Sequence, residues 1–130
     1  MTPLLIPAGN PSEWTGPAGN NTWLLRGRVP ALVDAGVGRP EHIEAIARAL
    51  DGSSLARVFI THGHPDHVGG LPALRARWPD LDVIPAASFE QSEQDAGDSS
   101  ARTIAGGDGT LRVIATPGHA PDHLCFFDQE

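Results

Sequence analysis

The most informative stretch of the chain is Thr61-His62-Gly63-His64-Pro65-Asp66-His67, which directly follows the apolar run Val58-Phe59-Ile60. Three of the chain's six histidines fall within it, together with a carboxylate. The apolar run predicts a buried strand, so the polar residues lie where that strand ends. Imidazole and carboxylate groups are common ligands of zinc and related metals. The stretch therefore predicts a metal site at a strand end.

The spacing of the donors indicates two ions. His62 and His64 are two residues apart on a chain leaving a strand, so both rings can point to one side and bind one ion at about 2.0–2.1 Å. Asp66 and His67 follow one turn later and are expected to face away from that pair, toward a second ion. Two ions about 3.5–4 Å apart would polarise a substrate oxygen and hold an activated hydroxide. A solvated histidine-rich loop is the disfavoured alternative, because histidine is a scarce residue.

These residues resemble a known signature. The sequence His62-Gly63-His64-Pro65-Asp66-His67 is similar to the His-x-His-x-Asp-His motif of the metallo-β-lactamase superfamily, and Gly69-Gly70 and Thr116-Pro117-Gly118-His119 match its next landmarks. Residues 19–25 and 32–36 resemble the opening of the same family. The closest resemblance is to the glyoxalase II-like and lactamase-β-like-2 branch, which includes an endoribonuclease. It implies an α/β fold: the N-terminal half and the start of the second half of an αββα sandwich, with a mixed sheet and flanking helices.

The resemblance also implies roles for individual residues. His62, His64 and His119 would hold the first ion and leave an open position for water. Asp66 and His67 would hold the second ion, and Asp66 would also accept a proton from the attacking water. Zinc is the expected metal, as one or two ions, and iron or manganese would also suit these ligands.

Three further polar residues need an interpretation of their own. The family places an aspartate at Asp34 beneath the ligands, where it would accept a hydrogen bond from a ligating histidine; a plain turn carboxylate at a strand end is the alternative. His123 recurs in the branch and would lie behind the ligands or near the substrate. His42 lies off the apolar stripe of its predicted helix, so we expect a solvated surface histidine.

The superfamily pattern requires two more ligands after the last predicted strand, a bridging aspartate and a final histidine. The chain ends at Asp128-Gln129-Glu130, and Asp128 falls where the preceding strand should still be running. We therefore expect one domain over residues 1–130 that is a fragment or a naturally shortened homologue. A sheet without its packing partner exposes an apolar face and an unpaired edge, which predicts self-association.

Composition limits the partners. The 130 residues carry a net charge of −7, and all nine basic residues are arginine. This balance disfavours nucleic acid, which needs a basic surface, although the ribonuclease-like relatives keep it possible. The single Cys125 allows no internal disulfide and is expected to be buried and inert. The N-terminus lacks the basic and apolar segments of a signal peptide or membrane span, so we expect a cytoplasmic protein with no membrane partner.

Periodicity predicts alternating strands and helices. Ile43, Ile46, Ala47 and Leu50 recur at the helical period. The predicted helices are 40–50 and 70–78, and the predicted strands are 4–6, 22–27, 30–34, 56–61, 81–85, 111–116 and 124–127. The polar stretch 91–100 predicts a surface loop.

The function that these features favour is a metal-dependent hydrolase acting through a metal-bound hydroxide. Resemblance to glyoxalase II implies a thioester substrate and resemblance to the ribonuclease-like members implies a phosphodiester. The acidic composition favours a small ester or thioester. Two alternatives remain: an iron-dependent oxidoreductase like the persulfide dioxygenases of the superfamily, and a non-catalytic domain that binds metal or a partner.

Overall fold

A computed structural model describes the part of the chain that contains eight strands and three helices. That part comprises residues 2–13, 15–17, 19–84, 103–116 and 124–128. The strands are β1 (Leu4–Pro7), β2 (Asn21–Leu25), β3 (Ala31–Val33), β4 (Arg57–Phe59), β5 (Asp82–Ile84), β6 (Thr103–Gly106), β7 (Gly109–Ala115) and β8 (Leu124–Asp128). The helices are α1 (Pro40–Leu50), α2 (Pro65–Val68) and α3 (Leu71–Arg77). The predicted loop at 91–100 lies outside the described residues.

The first five strands form one mixed sheet in the order β1-β2-β3-β4-β5. β1, β2 and β3 are antiparallel neighbours, as a hairpin and its return require. β3, β4 and β5 are parallel, and the connections between them carry α1 and then α2 with α3. Parallel neighbours need such crossover connections. The predicted mixed sheet with flanking helices is therefore confirmed.

The helices cover one face of this sheet. α1 begins and ends at the residues predicted from its apolar period, and it buries Ile46 and Leu50 against sheet residues such as Leu32 and Val58. Leu74 of α3 joins the same core. Among the described helices, none combines the length and the apolar character needed to cross a membrane.

A second, antiparallel sheet of three strands, β6-β7-β8, covers the opposite face. Leu25 and Phe59 of the first sheet pack there with Leu111, and the rings of Phe59 and Phe126 stack with centroids 5.3 Å apart. The described part is thus a helix layer, a mixed sheet and a second sheet. The outer surface of the second sheet leaves Phe127 50% exposed; the expected self-association stays a prediction.

Strand β6 was missing from the sequence prediction. It forms a tight hairpin with β7 in which Gly106 pairs with Gly109, and the turn residue Gly107 has a φ of 63°. The hairpin tip contacts the first sheet, because Val29 and Gly107 exchange two backbone hydrogen bonds of 3.0 and 2.6 Å. The Gly106-Gly107-Asp108-Gly109 sequence is typical of a hairpin turn and was the available signal.

The prediction for His42 was wrong, because its ring is only 2% exposed. The hydroxyl of Thr22 donates to the carbonyl oxygen of Ile6 over 2.6 Å and lies 2.9 Å from Nε2 of His42. Since that hydroxyl has already donated its hydrogen, the neutral ring donates from Nε2. Nδ1 has no hydrogen-bond partner among the described residues. His42 therefore anchors α1 to β2 from the edge of the apolar stripe.

The prediction that Cys125 is buried was also wrong. β8 places Phe126 toward the first sheet, so its neighbour Cys125 points to the exposed outer surface. Its Sγ lies 3.4 Å from Oγ1 of Thr116 on the chain that follows β7. Alternation along a strand gives opposite faces but does not say which face is covered.

Burial of His42 predicts a loss of stability in acid. Desolvation lowers the pKa of its ring below the ordinary value of 6.5. As the pH falls below 6.5, the unfolded chain therefore takes up a proton at His42 while the folded ring stays neutral. The contribution of His42 to the free energy of unfolding is present in full above pH 6.5 and decreases below it. We expect the unfolding temperature of the wild type to fall more between pH 7 and pH 5 than that of His42→Gln. Equal falls would show that His42 does not titrate differently on unfolding; Arg39 and Glu41, which line the adjacent cavity, are unchanged in both proteins.

Candidate metal centre

The predicted ligands lie where β4 leaves the sheet. The chain passes through His62 to His64, which has an extended backbone with φ −66° and ψ 146° and is the N-cap of α2, and the helix begins at Pro65. Proline suits the first position of a helix because it has no backbone N–H to satisfy. Asp66 and His67 are the second and third residues of this short helix, which the sequence prediction missed.

Three histidine rings are in contact at this point. The ring centroids of His62 and His64 are 4.5 Å apart, and those of His62 and His67 are 4.1 Å apart. The expectation that His67 faces away from the histidine pair was therefore wrong, since α2 turns its ring back onto His62. Oδ2 of Asp66 lies 3.4 Å from Nε2 of His67. Three imidazoles and a carboxylate thus share one small region.

Asp34 lies beneath these rings. It follows β3 with a φ of 65°, a left-handed conformation that aspartate tolerates better than most residues, and it is buried. Its carboxylate accepts hydrogen bonds from the backbone N–H of Thr61 at 2.8 Å and from Nδ1 of His67 at 2.7 Å. The carboxylate therefore holds both the strand end and one histidine ring.

The hydroxyl of Thr61 connects Asp34 to a second histidine ring. It lies 2.9 and 3.0 Å from the two oxygens of Asp34 and 3.0 Å from Nδ1 of His62. An ionised carboxylate only accepts, so the hydroxyl donates to Asp34 and accepts from Nδ1–H of His62. His62 and His67 then both carry the hydrogen on Nδ1, which leaves Nε2 of each neutral ring as the ligating nitrogen. Such a hydrogen-bonded carboxylate is a frequent support of metal-binding histidines.

The electrostatics of the pair Asp66 and His67 are coupled. Burial favours the neutral form of His67, but the hydrogen bond and charge of Asp34 and the charge of Asp66 outweigh it and raise the pKa of the ring. Burial also opposes ionisation of Asp66, yet the hydrogen bond from Asn20 and the nearby His67 lower the pKa of its carboxyl group. Asp66 is therefore ionised at neutral pH, and a metal at Nε2 of His67 would take the place of a proton.

Two adjacent glycines lie where the loop that carries Asp34 packs against α2. The N–H of Ala35 donates to the carbonyl oxygen of His67, and the N–H of Gly70 donates to that of Gly36, each over 2.9 Å. A side chain at Gly70 would overlap the carbonyl oxygen of Ala35, and one at Gly69 would lie 2.6 Å from that of Pro65. Gly70 is therefore needed for this close approach of two backbones, whereas a Cβ at Gly69 would clash within α2.

A cleft of about 780 Å³ opens beside the ligands. The loop that includes Asn10, Thr15 and Asn20 forms one wall, and His64, Asp66 and His67 lie along the other with Arg39. The cleft is large enough for a small-molecule substrate, whose usual pockets are about 300–1,000 Å³.

The donor set fits a divalent metal only in part within the described residues. No three histidine, cysteine or acidic side chains of this part are arranged to bind a single ion. The predicted set for the first ion includes His119, which lies outside the described residues, as does His123. Neutral imidazole nitrogens and an ionised carboxylate suit zinc, iron or manganese. The ligand assignments to His62, His64, Asp66, His67 and His119 therefore stay predictions.

The sequence prediction missed two residues at this centre. Thr61 was part of the quoted motif, but its hydroxyl was not assigned a role. Asn20 contacts Asp66 across 46 positions of sequence. A contact of that span leaves no periodic signal in one sequence.

Comparisons with known proteins bear on the family and the fold. Residues 15–130 match the family model described as the metallo-beta-lactamase superfamily. Two relatives named atrochrysone carboxyl ACP thioesterase are each 39% identical to the chain. The one from Aspergillus fumigatus aligns over 86% of this chain and 27% of its own length, and the one from Aspergillus chevalieri over 100% and 43%. The chain thus spans less than half the length of either relative.

The solved structures give the same fold. The BLEG-1 B3 metallo-beta-lactamase superposes with a TM-score of 0.64 at 22% identity, and the match covers 98% of this chain and 68% of that protein. Agreement over nearly the whole chain at low identity bears on the fold alone. The predicted α/β sandwich is therefore confirmed.

Proposed function

The chain belongs to the metallo-β-lactamase superfamily, and from that premise we propose that its site hydrolyses acyl thioesters with the help of a bound metal. The observation that carries the proposal is the contact of three imidazole rings beside the ionised Asp66 at the edge of a cleft. His62, His64 and His119 would hold the first ion, and Asp66 and His67 would hold a second, adjacent ion. Zinc is the proposed metal.

The chain's own residues would act as follows. A metal held there would supply a Lewis acid that activates water and polarises the thioester carbonyl. Asp34 and Thr61 hold the hydrogen of each ring on Nδ1, so that His62 and His67 would bind metal through Nε2. Asp66, held ionised by Asn20 and His67, would accept a proton from the attacking water. The water oxygen bonds to the acyl carbon, the carbon–sulfur bond breaks, and the proton held by Asp66 would pass to the leaving sulfur, which departs as a thiol.

The choice of a thioester rests on the relatives and on charge. Two relatives are named as thioesterases. A net charge of −7 disfavours a polyanionic substrate such as RNA, because the phosphate backbone is bound mainly by basic side chains. We therefore place a small acyl thioester ahead of a phosphodiester as the substrate.

A thiol-release assay tests the proposal. The purified chain is incubated with short-chain acyl-coenzyme A thioesters and with the matched oxygen esters, before and after removal of metal by a chelator. We expect thioester hydrolysis that disappears with the metal and returns on addition of zinc, because the metal activates the water. Hydrolysis that persists without metal would contradict the proposal. Metal-dependent consumption of dioxygen would instead favour the iron oxidoreductase, and bound metal without turnover would favour the non-catalytic domain.

A further inference from the structure

The side chain of Asn20 forms two hydrogen bonds with Asp66. Its Nδ2 lies 2.8 Å from Oδ2 of the carboxylate and 3.0 Å from the backbone oxygen of the same residue. Both of these atoms are acceptors, so the amide must present its NH₂ group, with one hydrogen for each. A carboxylate fixed at one oxygen and at its own backbone has a restricted rotation. Asn20 therefore sets the direction in which Asp66 points.

The backbone of Asn20 is itself held on both sides. Its N–H donates to Oδ1 of Asn10 over 2.9 Å, and its carbonyl oxygen accepts from the N–H of Ala8 over 2.9 Å. Gly19 makes the approach of Asn10 possible, since a Cβ there would lie 2.7 Å from Oδ1 and 2.8 Å from the backbone nitrogen of Asn10. The backbone from which the Asn20 side chain reaches Asp66 is thus held in place.

The described residues of the loop between Asn10 and Asn20 are also joined to one another by hydrogen bonds. The hydroxyl of Thr15 donates to the carbonyl oxygen of Asn10 over 2.6 Å. Ser12 and Gly16 exchange two backbone hydrogen bonds, and the N–H of Thr15 donates to the hydroxyl of Ser12. These bonds join the cleft wall into one unit that ends at Asn20. That unit contacts the predicted ligand Asp66 through two hydrogen bonds.

We infer that Asn20 is a positioning residue for Asp66, and that through Asn20 the described residues of the loop that begins at Asn10 control how tightly the site holds its second ion. The inference rests on the proposed function, because it takes Asp66 as a ligand. A ligand that is already oriented loses less freedom on binding an ion, which is why the hydrogen-bond partners of ligands affect metal affinity by about 10–100-fold. The same loop forms a wall of the cleft. The hydrogen bond from Asn20 to Asp66 therefore connects this wall to a predicted metal ligand.

The test measures zinc affinity by competition with a chromophoric chelator on the full 130-residue chain. Asn20→Ala and Asn20→Leu both remove the donors, and Asn20→Leu keeps most of the volume. We expect each to weaken binding of the second zinc ion by about 10–100-fold, with little change in the unfolding temperature of the metal-free protein. Asn21→Ala is the matched control, because Asn21 is an exposed neighbour on β2, and its affinity should equal that of the wild type.

The outcomes separate this inference from the proposed function. Unchanged zinc affinity in both Asn20 variants, together with its loss in His64→Ala, would overturn the role of Asn20 and leave the metal site standing. Unchanged affinity in all three would overturn the metal site itself. If the Asn20 variants do not fold, Asn10→Ala serves instead, because it loosens the backbone of Asn20 and keeps its amide. A smaller loss of affinity there supports the inference, and no loss overturns it.

Discussion

Replacing His64 with alanine is expected to abolish both metal binding and thioester hydrolysis. His64 contributes an exposed ring at the edge of the cleft, in edge contact with His62. Loss of a partner that only supports a ligand costs about 10–100-fold in metal affinity, so loss of a ligand should exceed about 100-fold. Zinc affinity by chelator competition and thiol release from acyl-coenzyme A measure the two effects.

His42→Gln provides the matched control for this variant. It also removes a histidine, but one that lies between α1 and β2 and bonds Thr22. Zinc content and turnover at neutral pH should match those of the wild type after correction for folded fraction. If His64→Ala retained zinc with wild-type affinity, or if both variants lost it equally, the assignment of His64 would be wrong.

The second large effect is expected for Gly70→Ala. Gly70 has a φ of −82° and a ψ of −5°, which alanine adopts without strain, so any cost comes from contact alone. The added methyl group would overlap the carbonyl oxygen of Ala35 and lie 3.0 Å from the backbone nitrogen of Gly38. Overpacking costs about 1–3 kcal/mol and more when backbone must move. We expect at least about 3 kcal/mol lower stability in urea unfolding, together with weaker zinc binding, since Asp34 precedes the displaced loop.

Gly52→Ala separates this effect from a general cost of removing glycine. Gly52 follows α1 with a φ of 91°, and a Cβ there would meet nothing within 4 Å. Its cost is backbone strain alone, about 1–2 kcal/mol, and zinc affinity should not change. A smaller loss of stability for Gly70→Ala than for Gly52→Ala would contradict the packing of the loop against α2.

The sequence predicted the framework well because that framework leaves periodic signals. The helical spacing of Ile43, Ile46 and Leu50, with Pro40 as the start signal, predicted the bounds of α1, and the apolar run before His62 located β4. The motif also predicted that Asp66 and His67 would follow the histidine pair at the same strand end, although His67 was wrongly expected to face away from it. Its glycine pair, Gly69-Gly70, marked the place where two backbones meet.

The remaining features depend on contacts that a period does not encode. His42 sits off the apolar stripe but is buried because β2 offers it the hydroxyl of Thr22. His67 turns toward His62 because Pro65 starts a helix there, which a loop interpretation of the motif had not included. The hydrogen bond between Asn20 and Asp66 joins residues 46 positions apart. Such features arise from tertiary packing, which overrides local preference.

The central claim is that this chain holds a metal at the His62–His67 stretch, and the most direct test is metal content. The purified protein is loaded with zinc and desalted, and elemental mass spectrometry is then combined with the intact mass of the same sample. We predict one or two zinc ions per chain, the first held by His62, His64 and His119 and the second by Asp66 and His67. A chain of the correct mass that is folded yet retains no zinc would contradict the claim.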